Sequence, residues 1–125
     1  MPVNVSVDRN RKLVITTYSG DVTDADVARQ VSHIREQAPY GPAYCAITDF
    51  TQVTQFNISS SEIRSVANSE SPLGEAQRVM VAPSDVAFGT SRMFQALASR
   101  TRPNITVVRT LAEAYAALGI DGIVQ

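Results

Sequence analysis

The sequence of 125 residues is poor in the side chains that most catalytic and metal centres need. It has one histidine, His33, one cysteine, Cys45, and no tryptophan. A Ser-His-Asp or Cys-His centre needs an oriented imidazole in a cleft, whereas His33 lies off the apolar stripe of a predicted helix and is expected to face solvent. One histidine and one cysteine cannot furnish a zinc site of the usual type. We therefore predict no catalytic residues, no metal, no cofactor and no enzymatic activity.

The charge and the hydropathy argue against two further classes of partner. The chain has 11 basic and 12 acidic residues, for a net charge of -1, so it lacks the basic face that nucleic acid requires. No apolar run approaches the roughly 20 residues of a membrane span, and the first residues do not form a signal peptide. A lone cysteine suits a reducing compartment. We expect a cytoplasmic protein with no nucleic-acid partner and no membrane span.

The length and the hydrophobic periodicity indicate a single α/β domain over residues 1–125. Alternating valines at residues 3–7 and an apolar segment at residues 13–18 predict an antiparallel hairpin. Further strands are predicted at residues 44–50, 78–82 and 105–109, with helices between and after them. The order is ββαβαβαβα, which predicts a mostly parallel five-stranded sheet that begins with the hairpin.

Polar residues follow the predicted parallel strands at their carboxyl ends, where ligands bind in open α/β sheets. The candidate rim consists of Asp49, Thr51, Ser59, Ser60, Ser84 and Asp85. Two helix N-termini would direct unpaired N–H groups at this rim, which favours an anion, a phosphate or another polar ligand. The alternative is purely local: Ser59 and Ser84 stand where helix N-caps belong, and Asp49 holds a loop backbone.

The predicted third helix, which runs from Pro83 to about Arg100, is apolar over a wide arc. One packing stripe is formed by Val86, Thr90, Met93 and Leu97. Aromatic residues outside that stripe leave a surplus apolar face, which predicts a homodimer. The predicted interface residues are Phe88, Arg92, Met93 and Phe94, with Arg92 stacked on the ring of Phe88. Arg102 is expected to complement the dipole at the end of this helix.

Two segments carry a resemblance to a known family. Residues 46–51 read Ala-Ile-Thr-Asp-Phe-Thr, and residues 82–93 read Ala-Pro-Ser-Asp-Val-Ala-Phe-Gly-Thr-Ser-Arg-Met. With the order of the strands and helices, these segments make the chain similar to SpoIIAA-like, STAS-related proteins from about Lys12 to Gly119. It resembles most the stand-alone bacterial branch, whose fold is related to lipid-binding CRAL-TRIO domains. The resemblance implies a small α/β domain that acts by binding, often in regulation, without a cofactor.

The resemblance also implies a phosphorylation site in one branch of the family. In anti-sigma-factor antagonists, a partner kinase phosphorylates a serine at the start of the second helix. The corresponding residues 56–62 here contain Ser59 and Ser60, but neither the preceding acidic residue nor the following glycine of that switch. A serine therefore occupies the position without the rest of the pattern.

Two functions remain as hypotheses. The first is a non-enzymatic, STAS-like regulatory module that binds a protein partner, such as a kinase or another regulator, or a small ligand. The alternative is a carrier of an apolar or lipid-like small molecule. An internal cavity lined by aliphatic residues would favour the carrier, and a solid core with a flat exposed patch would favour the protein partner.

Overall fold

The fold begins with an antiparallel hairpin in a computed structural model that describes residues 3–41 and 43–120. Strand β1 (Val3–Asp8) pairs with strand β2 (Leu13–Thr23). Asp8 Oδ1 accepts hydrogen bonds from the backbone N–H groups of Asn10 and Arg11, both at 3.0 Å. An aspartate that bonds the backbone just after it stabilises a tight turn, which explains why the chain reverses here.

Strands and helices alternate after the hairpin. They are α1 (Asp24–Glu36), β3 (Cys45–Asn57), α2 (Ser60–Asn68), β4 (Arg78–Val81), α3 (Asp85–Leu97), β5 (Ile105–Val108) and α4 (Leu111–Leu118). The sheet has the strand order β1-β2-β3-β4-β5, and every pair after β1–β2 is parallel. The predicted α/β fold class and element order are confirmed.

The two faces of the sheet are covered by different helices. Since β2 to β5 are neighbours in chain order and right-handed crossovers are the rule, α1, α2 and α3 share one face. Tyr18 and Phe50 project onto that face and form one core cluster with Ala87 of α3. On the opposite face, Leu13 and Ile47 pack with Ala114 of α4. We call the first of these the three-helix face.

Strands β2 and β3 run further than the sequence predicts. They were expected to end near residues 18 and 50, but they continue to Thr23 and Asn57 and remain paired with each other. Strand β4 ends opposite Asp49, so residues 19–23 and 52–57 form a two-stranded ribbon beyond the main sheet. Gly20, which the sequence pattern placed at a strand end, has a φ of 67° and lies where the register shifts. A bulge absorbs the left-handed residue, so the strand does not stop.

Candidate functional site

The serines at the start of α2 form a hydrogen-bonded helix cap. Ser59 Oγ accepts from the N–H of Glu62 at 3.1 Å and donates to Asp24 Oδ2 at 2.8 Å, while the N–H of Ser59 donates to Asp24 Oδ1 at 2.8 Å. The Asp24 carboxylate thus joins the N-termini of α1 and α2. A phosphate on Ser59 would be repelled by this carboxylate, whereas Ser60, the first residue of α2, is exposed.

The second pair of rim residues also has local partners. Ser84 Oγ accepts from the N–H of Ala87 at 3.1 Å and so caps α3. Asp85 is 97% exposed and forms an ion pair with Arg109 Nη1 at 3.0 Å. The guanidinium carbon of Arg109 lies 4.1 Å from the centre of the Phe88 ring. The predicted stacking of Arg92 on Phe88 is therefore wrong, because an arginine from the end of β5 occupies that place.

The remaining rim residues lie within β3, since that strand continues through them. Asp49 is buried, and its Oδ1 accepts from the N–H of Thr51 at 2.8 Å, while Thr51 is exposed. Within residues 3–41 and 43–120, no hydrogen bond connects Asp49, Ser59 and Ser84. Their contacts are those of caps and a local turn, so the purely local alternative accounts for the hydrogen bonds of Asp49, Ser59 and Ser84.

Helix α3 presents to the sheet a stripe that is displaced by one residue, or about 100° around the helix, from the one predicted. The buried stripe consists of Ala87, Ser91, Phe94 and Ala98, of which Phe94 is half-buried. The predicted packing stripe is exposed at Val86 (65%), Met93 (40%) and Leu97 (40%). Small side chains explain the outcome, because alanine and serine let the helix backbone approach the sheet closely. Of the predicted interface residues, Arg92 and Met93 are exposed, Phe88 is half-buried under Arg109, and Phe94 faces inward.

A cavity of about 110 Å³ lies between the sheet and the helices of the three-helix face. Its lining is mostly aliphatic and aromatic and comes from strands β2 to β5 and helices α1 to α3. Representative lining residues are Val31 of α1, Phe50 and Phe56 of β3, Ile63 and Val66 of α2, and Phe94 of α3. Phe56 belongs to the ribbon and meets Phe50 edge-on, with 5.2 Å between the ring centres. The ribbon therefore forms part of the cavity wall.

Two of the residues that line this cavity have buried polar atoms without a partner. Among the described residues, these atoms are Ser91 Oγ and Arg78 Nε. Ser91 has no exposed surface at all. Arg78 donates from Nη2 to Ser71 Oγ at 2.8 Å and to the Gly74 carbonyl at 3.4 Å, which leaves Nε unused. Buried polar atoms are nearly always hydrogen-bonded, so each such atom indicates a missing partner.

A second arginine at the same cavity is more deeply buried than Arg78, which is half-buried. Arg102 is 6% exposed, and its Nη1 donates to the carbonyls of Val66 at 3.0 Å and Ser69 at 2.9 Å. It was expected to complement the end of α3, but it instead bonds carbonyls at the end of α2. Its guanidinium carbon lies 5.8 Å from the centre of the Phe94 ring.

The electrostatics of this cavity are set by two desolvated cations. Burial and, to a smaller extent, the positive charge of Arg102 together lower the pKa of Arg78 to about 10. Burial also lowers the pKa of Arg102, with a contribution from the charge of Arg35, while Glu70 opposes the shift. Both arginines remain protonated at neutral pH, so the cavity is apolar over most of its wall and positive at one end.

Sequence reasoning did not identify Arg78, Ser91 or Arg102 as site residues. An arginine that opens a short apolar strand, Arg78-Val79-Met80-Val81, is the one signal that could have pointed to the cavity. Ser91 carries no such signal, because serine is common on both the inner and the outer faces of helices. Its importance comes from its surroundings, which depend on how α3 is rotated against the sheet.

The single thiol has the properties of a structural cysteine. Cys45 is half-buried, and its Sγ donates to the Lys12 carbonyl at 3.7 Å. Burial raises the pKa of the thiol, and the nearby charge of Arg11 opposes this only in part. Cys45 borders a wide groove of about 700 Å³ at the amino ends of the strands. Unlike the cavity, this groove contains no buried polar side-chain atom that lacks a partner in the described ranges.

The described residues contain neither a candidate metal site nor a candidate membrane-spanning helix. No group of three or more His, Cys, Asp or Glu side chains there is arranged to hold a metal ion. None of the helices between residues 3 and 120 is long and apolar enough to cross a membrane. Comparison with known proteins found no protein-family model and no curated protein that matches the chain.

Proposed function

We propose that this chain is a non-enzymatic binding module of the STAS-like type that takes a small, mainly apolar molecule into the cavity of the three-helix face. The observation that carries the proposal is the apolar cavity with the wholly buried, unpartnered hydroxyl of Ser91 on its wall. The cavity is partly open to solvent, and its apolar walls lack the close contacts that they would have in a packed interior. A bound ligand would supply those contacts and would offer partners to the unused hydrogen-bonding groups.

The size of the cavity limits what the module can bind. Pockets for drug-sized ligands measure about 300–1,000 Å³, whereas an engineered apolar cavity of about 150 Å³ binds benzene. The volume here is about 110 Å³. We therefore expect a ligand of which no more than about six non-hydrogen atoms are enclosed, rather than a long-chain lipid.

A cavity-filling substitution tests the proposal. Val66→Phe places a ring in the cavity, and Leu111→Phe adds a ring at a position of α4 that is 36% exposed and lies outside the cavity lining. Benzene, as a neutral probe at ten times its Kd, should stabilise the wild-type protein by about 1.4 kcal/mol, because it binds only the folded state. The Leu111→Phe variant should respond like the wild type, and Val66→Phe should not respond.

Thermal unfolding with and without the probe measures this response, and methyl NMR locates it. Shifts should be confined to residues that line the cavity, such as Val31 and Ile63. An equal response of both phenylalanine variants would place the binding elsewhere. The proposal fails if the wild-type protein binds neither benzene nor any of benzoate, benzyl alcohol and benzylamine.

We also propose that two copies associate through the exposed stripe of α3. Val86, Met93 and Leu97 lie on this stripe, and their exposure is 65%, 40% and 40%. A contiguous apolar surface of this kind marks an interaction site in many proteins. The adjacent stripe of the same helix carries Ser91 and Phe94, which line the cavity. A ligand in the cavity would therefore contact the helix on which the association depends, which supports a regulatory role.

A further inference from the structure

The two arginines at the cavity lack a counter-charge. The ion pairs formed within the described residues are Asp8–Arg11, Asp26–Arg29 and Asp85–Arg109. Neither Arg78 nor Arg102 takes part in one, and all of the hydrogen-bond acceptors they use are neutral carbonyl or hydroxyl oxygens. Buried charges in proteins are normally paired, because the cost of removing a lone cation from water is several kcal/mol.

The one acidic residue at the cavity does not supply that charge. Glu70 lines it but is exposed, and its carboxylate lies beyond ion-pair distance of both arginines. It raises the pKa of Arg102 only through the longer-range attraction between the two charges. The positive end of the cavity therefore lacks an anion that could also satisfy Arg78 Nε.

We infer that the ligand of this cavity is a small apolar carboxylate, whose carboxylate accepts a hydrogen bond from Arg78 Nε and whose hydrocarbon part lies among Phe50, Phe56 and Ile63. This inference rests on the proposed function and adds the chemical class of the ligand. The hydroxyl of Ser91, on the same cavity wall, supplies a second hydrogen-bonding group. Arg102 contributes charge, while its own Nη1 remains bonded to the carbonyls of α2.

The lining and the volume favour a carboxylate over a phosphate. A carboxylate adds only three non-hydrogen atoms, so a compact ring or a branched chain that carries one is held in part within about 110 Å³ and in part at the opening of the cavity. A phosphate group is larger and carries up to two charges, and most of this wall offers it no polar contact. Charge-assisted hydrogen bonds from a guanidinium to a carboxylate are roughly twice as strong as neutral ones, which should make the charged end decisive for affinity.

Three substituted benzenes of nearly equal size separate charge from shape. Benzoate carries the carboxylate, benzyl alcohol is neutral, and benzylamine is a cation. Titration calorimetry on the wild-type protein should show benzoate binding at least tenfold more tightly than benzyl alcohol, with no detectable binding of benzylamine. Arg78→Met should remove the preference for benzoate. Arg64→Met is the matched control, because Arg64 is exposed on α2 and lies away from the cavity lining.

A measurement on the wild-type protein makes the test independent of whether Arg78→Met folds. The Nε–H resonance of Arg78 should shift downfield when benzoate binds and should stay in place with benzyl alcohol. The inference is overturned if this resonance does not respond, if benzoate and benzyl alcohol bind equally, or if folded Arg78→Met keeps the preference for benzoate. In each of these cases the proposed function still holds if the wild-type protein binds one of the probes and Val66→Phe abolishes that binding. Absence of binding by benzene and by all three substituted benzenes would refute both.

Discussion

Replacement of the buried serine of α3 by alanine should stabilise the protein. Ser91 Oγ is wholly buried and has no partner among the described residues, so Ser91→Ala removes a desolvation penalty of about 1–3 kcal/mol. Alanine also has the higher helix propensity, by about 0.5 kcal/mol. The cavity grows by about one oxygen atom, or on the order of 10–15 Å³, which costs only about 0.3 kcal/mol. The free energy of unfolding should therefore rise by about 1–3 kcal/mol.

The same substitution at the start of the same helix should have the opposite effect. Ser84 Oγ accepts from the N–H of Ala87 at 3.1 Å, so Ser84→Ala should lower the free energy of unfolding by about 1 kcal/mol. Urea denaturation of the ligand-free protein measures both changes, and thermal unfolding should show a rise of at least about 3 °C for Ser91→Ala. A lower stability of Ser91→Ala would refute the reasoning, because it would show that the hydroxyl has a partner in solution.

Three further predictions follow from the contacts described above. Hydrogen bonds from Thr23 and the charge of Arg29 lower the pKa of Asp26, so its contribution to stability is present above the unfolded-state pKa of about 3.9 and is lost as the pH falls through the lower, folded-state pKa. Asp26→Asn should lower the free energy of unfolding by about 1 kcal/mol at pH 7. Urea denaturation at pH 7 and pH 3 should show that the variant loses less stability in acid than the wild type, and an equal loss would contradict this. Cys45 should react with a thiol reagent more slowly than in the urea-unfolded protein, because burial raises its pKa; equal rates at pH 8 would disprove its burial. Met93→Asp should convert a dimer into folded monomer as measured by light scattering, because it places a charge on the exposed stripe of α3; a wild-type protein that is monomeric at high concentration would exclude the dimer.

The sequence predicts the order of the elements well because local signals mark it. The alternating valines of β1 are visible in a few adjacent residues, and the structure confirms that strand. The caps of α4, which are the Thr110–Glu113 capping box and Gly119, depend on equally local residues. The ends of β2 and β3 were missed because their pairing beyond the main sheet depends on contacts between segments more than 30 residues apart. A turn-like residue such as Gly20 is a local signal that this tertiary pairing overrides.

The sequence draws attention to the rim residues and away from the cavity for a related reason. Ser59 and Ser84 are conspicuous in sequence because they precede apolar helices, but that position already accounts for them as caps. Arg78 and Arg102 acquire their significance from burial at a cavity shared by several elements, which the order of residues does not encode. The two stripes of α3 illustrate the same limit: periodicity identifies both, and only packing against the sheet decides which one is inside.

The ribbon formed by residues 19–23 and 52–57 has a consequence for the rate of ligand exchange. Phe56 and Ile58 line the cavity, and the strand that leads to them lacks the β4 neighbour that holds residues 46–49. Local openings of such segments require less free energy than global unfolding, so a ligand would enter by bending the ribbon while the main sheet stays intact. Amide hydrogens at residues 52–57 should then exchange faster than those at residues 46–49 and should be slowed when the cavity is filled. The residence time of the ligand would then depend on the stiffness of the ribbon, and its affinity on Arg78. A substitution in the ribbon would change the residence time and leave the affinity unchanged.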